Sequence, residues 1–466
     1  MEQNAKPVSG QDSRRDFIKK TATAAAAVAA TGLIKTPIYG QNQAPSANVA
    51  GANNKITVGV IGVGGQGMAH VRSMKGHAAQ SNIAQVAVCD VWTKRIEGAK
   101  AFIGGSGVEG YDDYRKLIDR KDIDSVVVAT VDHWHTKCSI DAMEAGKHVF
   151  VEKPMTRYLG EAFAIYDTCM KTKKVLQVGS QGCSDRKWKV AADLIRDGRI
   201  GPLVLGQGSY MRNSPKGEWN YAIDPEARED NINWKSWLGP VKHADTKDFN
   251  ADHYFRWRKY YPYCAGLLGD LFPHRLHPLM LATGKPEFPS RVVSVGNSRI
   301  GSDRNTPGTY MRNVPENVQL LAEFPSGLIL MVTSSTVNEQ GIEDMIRGHH
   351  ATLYFAGNRV ALKPEKPFAD EIDPELIEGI TPGEDVGVHE RNWFDAIRGK
   401  AEANAGIDLA IKVQTVISLA EMSERMGVSC YFDEKTRKVT TGPDNRVLEP
   451  YTYESEAKAG YQIQKV

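Results

Sequence analysis

From Lys55 the chain alternates short β-branched runs with longer stretches of helical period. Ile56, Val58, Val60 and Ile61 form the first run. Ile83 to Cys89, Ser125 to Ala129, His148 to Val151 and Val175 to Val178 repeat it. Such runs predict buried parallel strands. Between them Met68 onward, Tyr111 to Ile118, Cys138 to Ala145 and Leu159 to Lys171 read as helices, with Gly146 closing one of them. Regular strand–helix alternation predicts a doubly wound parallel sheet over 55–180.

Past Ser180 the pattern changes. A helix is predicted over Trp188 to Arg196 and a strand over Leu203 to Ser209. Asn213 to Pro262 is aromatic-rich and poorly periodic, which reads as a loop-rich insertion. Runs at Val292 to Val295, Asn317 to Phe324, Leu328 to Ser334, Ala351 to Phe355 and Arg359 to Leu362 then follow with no helix between them. Pro325-Ser326-Gly327 and Gly357-Asn358 supply turns, so an antiparallel sheet is predicted. His389 to Arg398 and Ala410 to Met426 read as helices. The fold class is α/β plus α+β. The domains fall at 55–180, a dinucleotide-binding sheet, and 181–430, a second sheet domain. A C-terminal extension covers 431–466.

Charge changes the picture only at the N-terminus. Lys and Arg number 58 against 56 Asp and Glu. Six of those bases and three of the acids lie within residues 1–47, so the remainder is near neutral. That argues against a nucleic-acid binder, which needs a basic field. Ser13-Arg14-Arg15-Asp16-Phe17-Ile18-Lys19 resembles a bacterial twin-arginine export motif. An alanine-rich apolar segment, Thr21 to Ile34, follows; it is too short to span a bilayer and suits a signal sequence. Residues 1–50 are therefore expected to be targeting segment and linker, with a periplasmic or secreted destination and no membrane span. None of the six cysteines forms a C-x-x-C pair. Mostly buried thiols are expected, and a bridge stays open as the alternative.

The candidate chemistry begins where the first strand ends. Gly62-Val63-Gly64-Gly65-Gln66-Gly67 fits G-x-G-x-x-G between a strand and a helix. Gly62 permits the turn, Gly64 lets a pyrophosphate approach the backbone, and Gly67 lets the helix pack closely. Gly65 and Gln66 complete the loop. Asp90 ends the second strand, where an acid can accept hydrogen bonds from both ribose hydroxyls and favours NAD. Thr93, Lys94 and Arg95 follow closely, which keeps NADP as the alternative. Glu152-Lys153-Pro154 ends a later strand, at the edge where open α/β sheets bind ligands. There Lys153 can donate to a substrate oxygen. Thr130 and the loop Asp132-His133-Trp134-His135 follow another strand, so Thr130, His133 and His135 are placed near the cofactor. Metal binding by these histidines is the lesser alternative.

Asp270 and His274 stand four apart and would share one face of a helix, although Pro273 predicts that a helix starts or kinks there. His277 follows. Arg256, Trp257, Arg258 and Lys259 close a segment crowded with Trp and Tyr, whose rings suit the apolar face of a sugar. Arg256, Trp257 and His277 are the candidates for substrate contact.

The glycine loop, the DHWH stretch, AGKHVFVEKP and the later Asp-x-x-x-His together resemble the Gfo/Idh/MocA oxidoreductase family. The resemblance implies a Rossmann domain followed by a domain on a large, mostly antiparallel sheet. It implies a cis Pro154, catalytic Lys153 and His274, and an Asp270 that binds substrate and orients the imidazole. It also implies a homo-oligomer. Export implies that the cofactor travels with the folded protein and is regenerated in place. The reading is an NAD(P)-dependent oxidoreductase acting on a small-molecule sugar or sugar derivative. One alternative is an NAD-dependent glycoside hydrolase that oxidises, eliminates and reduces; exported relatives of that type carry a tyrosine where this chain has Phe272. The other is a non-catalytic sugar-binding protein.

Overall fold

A computed structural model gives the fold, described for residues 55–459 except 106, 243–246 and 443–444. The export segment expected at 1–50 lies outside the described residues.

Six parallel strands form the first sheet. They are β1 (Ile56–Ile61), β2 (Ile83–Cys89), β3 (Glu109–Tyr111), β4 (Ser125–Val128), β5 (His148–Val151) and β6 (Leu176–Val178). Their order is β3-β2-β1-β4-β5-β6, a doubly wound sheet whose order reverses between β1 and β4. Every residue of β1 and β4 is buried, because helices cover both faces. Helix α1 (Gly65–Ser81) leaves β1. Helix α2 (Asp132–Glu144) leaves β4, and α3 (Leu159–Thr172) follows β5. The helix foreseen from Cys138 thus starts six residues earlier, at Asp132. Val131 is its extended N-cap, and an acid in the first turn complements the helix dipole. The DHWH stretch is therefore helical, not a loop.

The second sheet has twelve strands. They are β7 (Leu203–Asn213), β8 (Arg291–Asn297), β9 (Asn317–Glu323), β10 (Ile329–Ser335), β11 (Val337–Asn338), β12 (Met345–Gly348), β13 (Ala351–Ala356), β14 (Arg359–Pro364), β15 (Glu375–Ile377), β16 (Cys430–Asp433), β17 (Lys438–Thr441) and β18 (Arg446–Leu448). The order is β15-β14-β13-β12-β7-β10-β9-β8-β16-β17-β18, with β11 beside β7. Only β7 and β10 pair in parallel; the other pairs of this sheet are antiparallel. The stretch foreseen as a C-terminal extension thus supplies the last strands of this sheet.

Helices α4 (Leu267–Asp270), α5 (Pro273–Ala282) and α7 (Ile407–Met426) lie on one face of that sheet, and α6 (Val386–Ile397) returns to pack on α1. Val293, Leu321, Met331, Met345, Tyr354 and Leu376 fall on one register line across the other face. All six cysteines are buried and none forms a disulfide. No helix among the described residues is long and apolar enough to cross a membrane.

Candidate active site

The glycine loop is shaped by close approaches. Gly62 has φ +84°, and a Cβ there would stand 2.7 Å from the Ala129 carbonyl oxygen. A Cβ on Gly67 would stand 1.8 Å from the Gly62 carbonyl oxygen, so the first turn of α1 rests directly on the strand exit. Helix α1 has no side-chain cap, so its first N–H groups are left for a ligand. A cavity of about 930 Å³ opens there, lined by Gly62, Gly64, Gly65, Gln66, Asp90 and Thr130 among others. A Cβ on Gly65 would meet nothing within 4 Å, which leaves the loop surface open to a pyrophosphate.

Asp90 lines the ribose end. Its carboxylate accepts N–H bonds from Val63 at 3.0 Å and Trp92 at 3.1 Å. Burial raises its pKa, against the pull of Arg95. Arg95 stands 4.0 Å from Asp90 and faces the Tyr254 ring at 4.9 Å. Lys94 turns away to Asp224 and Glu226, each at 2.8 Å.

The aromatic insertion forms the opposite wall. The Asn233 N–H donates to the Val91 carbonyl at 2.9 Å, and Trp92 pairs with Ile232. The Trp237 carbonyl accepts from Trp134 Nε1 at 2.8 Å and meets His133 Nε2 at 2.8 Å. Tyr221, Tyr254, Phe255, Trp257 and Arg258 face the cavity from this side. The cavity, the uncapped helix start and the acid at the ribose end together fit a nicotinamide dinucleotide.

Beyond Arg258 lies the chemistry. Strand β5 delivers Glu152 and Lys153, and the Lys153–Pro154 peptide is cis. Lys153 Nζ donates to the Asp270 carbonyl at 2.8 Å and to Asp270 Oδ1 at 2.7 Å. Arg258 Nε donates to the same Oδ1 at 3.1 Å, and the Trp219 indole donates to Oδ2 at 3.1 Å. Burial alone would raise the Asp270 pKa; Lys153 and Arg258 instead hold it well below the usual carboxylate range. Glu152 accepts from Gln66 Nε2 at 3.0 Å and meets His70 Nε2 at 2.8 Å. His70 reaches Glu390 on α6 through Nδ1 at 2.7 Å.

Three expectations are corrected here. Asp270 and His274 do not share a helix: Asp270 ends α4, and Pro273 opens α5 with His274 beside it. A proline ring is favoured in the first helical turn, so the chain breaks and restarts there. Nor does Asp270 orient the imidazole, because its oxygens go to Lys153, Arg258 and Trp219. His274 stacks on Tyr210 with centroids 4.8 Å apart, and its buried Nδ1 has no hydrogen-bond partner. Burial, reinforced by Lys153, lowers its pKa to about 3, so the ring is a neutral base.

The third correction concerns the other candidate contacts. His133 and His135 are buried and do not line the cavity; His135 Nδ1 meets the Pro154 carbonyl at 2.7 Å. Among the described residues no His, Cys, Asp or Glu group is arranged to hold a metal. Arg256 is tied to Asp252 at 2.7 Å and to Thr309 at 2.9 Å, away from the site. Arg258, two residues on, takes the place foreseen for it, while Trp257 does line the cavity. His277 is buried against Pro273 and Ser180. Sequence reasoning missed His70 and Glu390, whose partners lie far off in the chain.

Residues 56–180 match the model of an oxidoreductase family with an NAD-binding Rossmann fold. A glycosyl hydrolase family 109 protein 2 of Shewanella sp. (strain ANA-3) is 31% identical over 387 residues, 76% of this chain and 76% of that protein. One from Shewanella pealeana is 27% identical over 254 residues, and the chain spans about half of its length, 54%. Several other relatives of that name are matched over 46% of their length. Among solved structures, levoglucosan dehydrogenase with NADH and levoglucosan has a TM-score of 0.61 at 19% identity, over 80% of this chain and 98% of that one. The WlbA dehydrogenase of Bordetella pertussis with NADH and UDP-GlcNAcA has 0.59 at 16%, over 81% and 99%. These two show a shared fold. With a doubly wound sheet carrying the glycine loop, a large mixed sheet behind it and a relative matched over three quarters of its length, the chain belongs to the Gfo/Idh/MocA oxidoreductase family and carries an NAD-binding Rossmann domain.

Proposed function

We propose that the protein is an NAD-dependent oxidoreductase acting on a hydroxyl or ketone of a sugar or sugar derivative. One observation carries the reading. Lys153, pinned by Asp270 at the end of β5, and a neutral His274, whose pKa Lys153 helps to depress, belong to the same buried cluster as Arg258, which lines the cofactor cavity. Bound NAD supplies the hydride acceptor or donor. His274 takes the hydroxyl proton during oxidation and returns it during reduction. Lys153 donates to the same oxygen and stabilises its negative charge. Asp270 keeps the ammonium aimed, and Arg258 and Trp219 keep Asp270 in place.

The insertion supports a retained cofactor. It forms the wall of the cleft opposite the glycine loop and is tied to the first domain by the Asn233–Val91 bond, an arrangement suited to slow release of a dinucleotide. Retention fits the twin-arginine motif at Arg14-Arg15, since an exported enzyme must carry its nucleotide with it. The line across the other sheet face, apolar apart from Gln207 between Met331 and Met345, suits pairing of two copies.

A second reading has its own support. The relative matched over 76% of its length is named a glycosyl hydrolase. A retained NAD permits that chemistry too: oxidation of one hydroxyl acidifies a neighbouring C–H, a glycosidic group is eliminated, and reduction restores the sugar.

One experiment separates the readings. Denatured protein is assayed by mass for released NAD(H) or NADP(H). Folded protein then receives levoglucosan, a UDP-sugar acid, 3-keto sugars and nitrophenyl glycosides without added cofactor. Nicotinamide absorbance change with a sugar supports the oxidoreductase. Nitrophenol release moves the reading to the hydrolase. A protein with no nucleotide and no turnover on any of these overturns both enzyme readings.

A further inference from the structure

His274 Nδ1 is buried and without a hydrogen bond. Leaving such a group unpartnered in a buried site is unfavourable. Tyr210 stacks on the ring at 25° between planes and fixes the plane in which Nδ1 lies. The nearest acid on that edge is Glu384, whose Oε1 stands 3.8 Å from Nδ1. His274 is its one ion-pair partner among the described residues. Its side chain is 38% exposed against 9% for the histidine, so it stands between the buried ring and water.

The segment carrying Glu384 is anchored on both sides. The Arg186 guanidinium donates to the Thr381 carbonyl at 3.2 Å. Asp385, the next residue, caps α6 by accepting the Val388 N–H at 2.7 Å. Resting on the site reading above, we propose that Glu384 is the positioning residue of His274: it holds the imidazole with its proton on Nδ1 and carries the reaction proton out to water.

The step balances. In oxidation the substrate hydroxyl gives its proton to His274 Nε2, and the Nδ1 proton passes to Glu384 Oε1, whose side chain closes from 3.8 Å to hydrogen-bond distance to receive it. The ring is neutral before and after. The C–H electron pair leaves with its hydrogen to NAD⁺. Glu384 then releases its proton to solvent, and reduction runs the same path backwards. Lys153, Asp270, Glu152 and Arg275 act on His274, and Arg275, Lys187, Asp185 and Asp344 act on Glu384.

The test uses the full protein with its nucleotide bound, labelled with ¹⁵N-histidine. The His274 signal is identified by its loss in His274→Asn. In the wild type the long-range ¹H–¹⁵N pattern is expected to show the Nδ1–H tautomer. In Glu384→Leu that preference is lost, and Glu384→Asp restores it. An unchanged tautomer in a folded Glu384→Leu overturns the proposal. This reading needs no turnover, so it stands apart from the sugar and glycoside panel. On levoglucosan or the nitrophenyl glycoside that reacts, Glu384→Gln is expected to lower kcat about 10- to 100-fold and to leave KM within about threefold. An unchanged kcat overturns the proton path.

Discussion

Two buried charge clusters meet at the Glu152–Lys153 peptide. The first joins Glu152, His70, Glu390 and His77. Glu390 Oε2 accepts from Ser73 Oγ at 2.6 Å and meets His77 Nε2 at 2.8 Å, and His77 Nδ1 meets Ser81 Oγ at 2.8 Å. Both oxygens of each carboxylate and both nitrogens of each ring are used. The second joins Lys153, Asp270, Arg258 and His274. Its carboxylate is as fully used, yet its histidine keeps one nitrogen unpartnered and a pKa far below neutral. Neighbouring residues of one strand end are thus divided between holding and acting. A satisfied network fixes geometry. A histidine kept neutral by burial stays available to accept a proton at Nε2.

Breaking the second cluster has the largest expected effect. Lys153→Ala removes the donor aimed by Asp270. Hydride transfer should fall by about 10²- to 10⁴-fold, read as nicotinamide absorbance in single turnover. Nucleotide content by mass should stay near wild type, because the glycine loop and the first cluster are intact, while the melting temperature falls, because buried Asp270 loses Lys153 and keeps only Arg258 as a cationic partner. Wild-type turnover removes Lys153 from the chemistry.

Breaking the first cluster acts on stability instead. Burial pulls the His70 pKa down, but its bonds to Glu152 and Glu390 outweigh this and raise it from 6.5 to about 9. Burial likewise pushes Glu152 up, and His70 reverses it, to about 2. His70→Ala strands two buried carboxylates and should cost about 3–5 kcal/mol in chemical denaturation. The sign of the pH effect follows from the raised pKa. Below pH 6.5 the histidine is protonated in both folded and unfolded chains, and the stabilisation is complete. As pH rises through about 9 the folded ring loses its proton and the stabilisation goes. Wild-type stability should therefore decline between these limits, and His70→Gln should lack that decline. Equal slopes in the two proteins would show that His70 is neutral in the fold.

The contrast also marks what can be read along a chain. The glycine loop, Asp90 and Glu152-Lys153 were legible because strand end, turn and acid lie within short, regular spacings. Asp270 and His274 were legible as residues but not as a pair, since Pro273 splits the helix between them. Arg256 and Arg258 differ by two positions in a tight turn, and only the fold tells which one meets Asp270. His70 and Glu390 are 320 residues apart, joined when α6 returns to pack on α1. No local pattern encodes that contact. The short strands β12 and β15–β18 were equally silent, because three or four residues carry too little periodicity.

The smallest effect probes how completely the first cluster is satisfied. Ser73 Oγ is one of two partners of Glu390 Oε2, the other being His77. Ser73→Ala removes a hydrogen bond to a charged acceptor, ordinarily worth about 1.5–3 kcal/mol. Here His77 still covers the same oxygen, so the loss should sit at the lower end, about 1.5 kcal/mol. The alkaline decline assigned to His70 should persist, because Ser73 touches Glu390 and not the ring. A loss as large as that of His70→Ala would mean that the network behaves as one cooperative unit rather than a set of separable bonds. A double variant distinguishes these: if Ser73→Ala adds nothing once His70 is gone, the serine acts only through the charge that His70 maintains on Glu390.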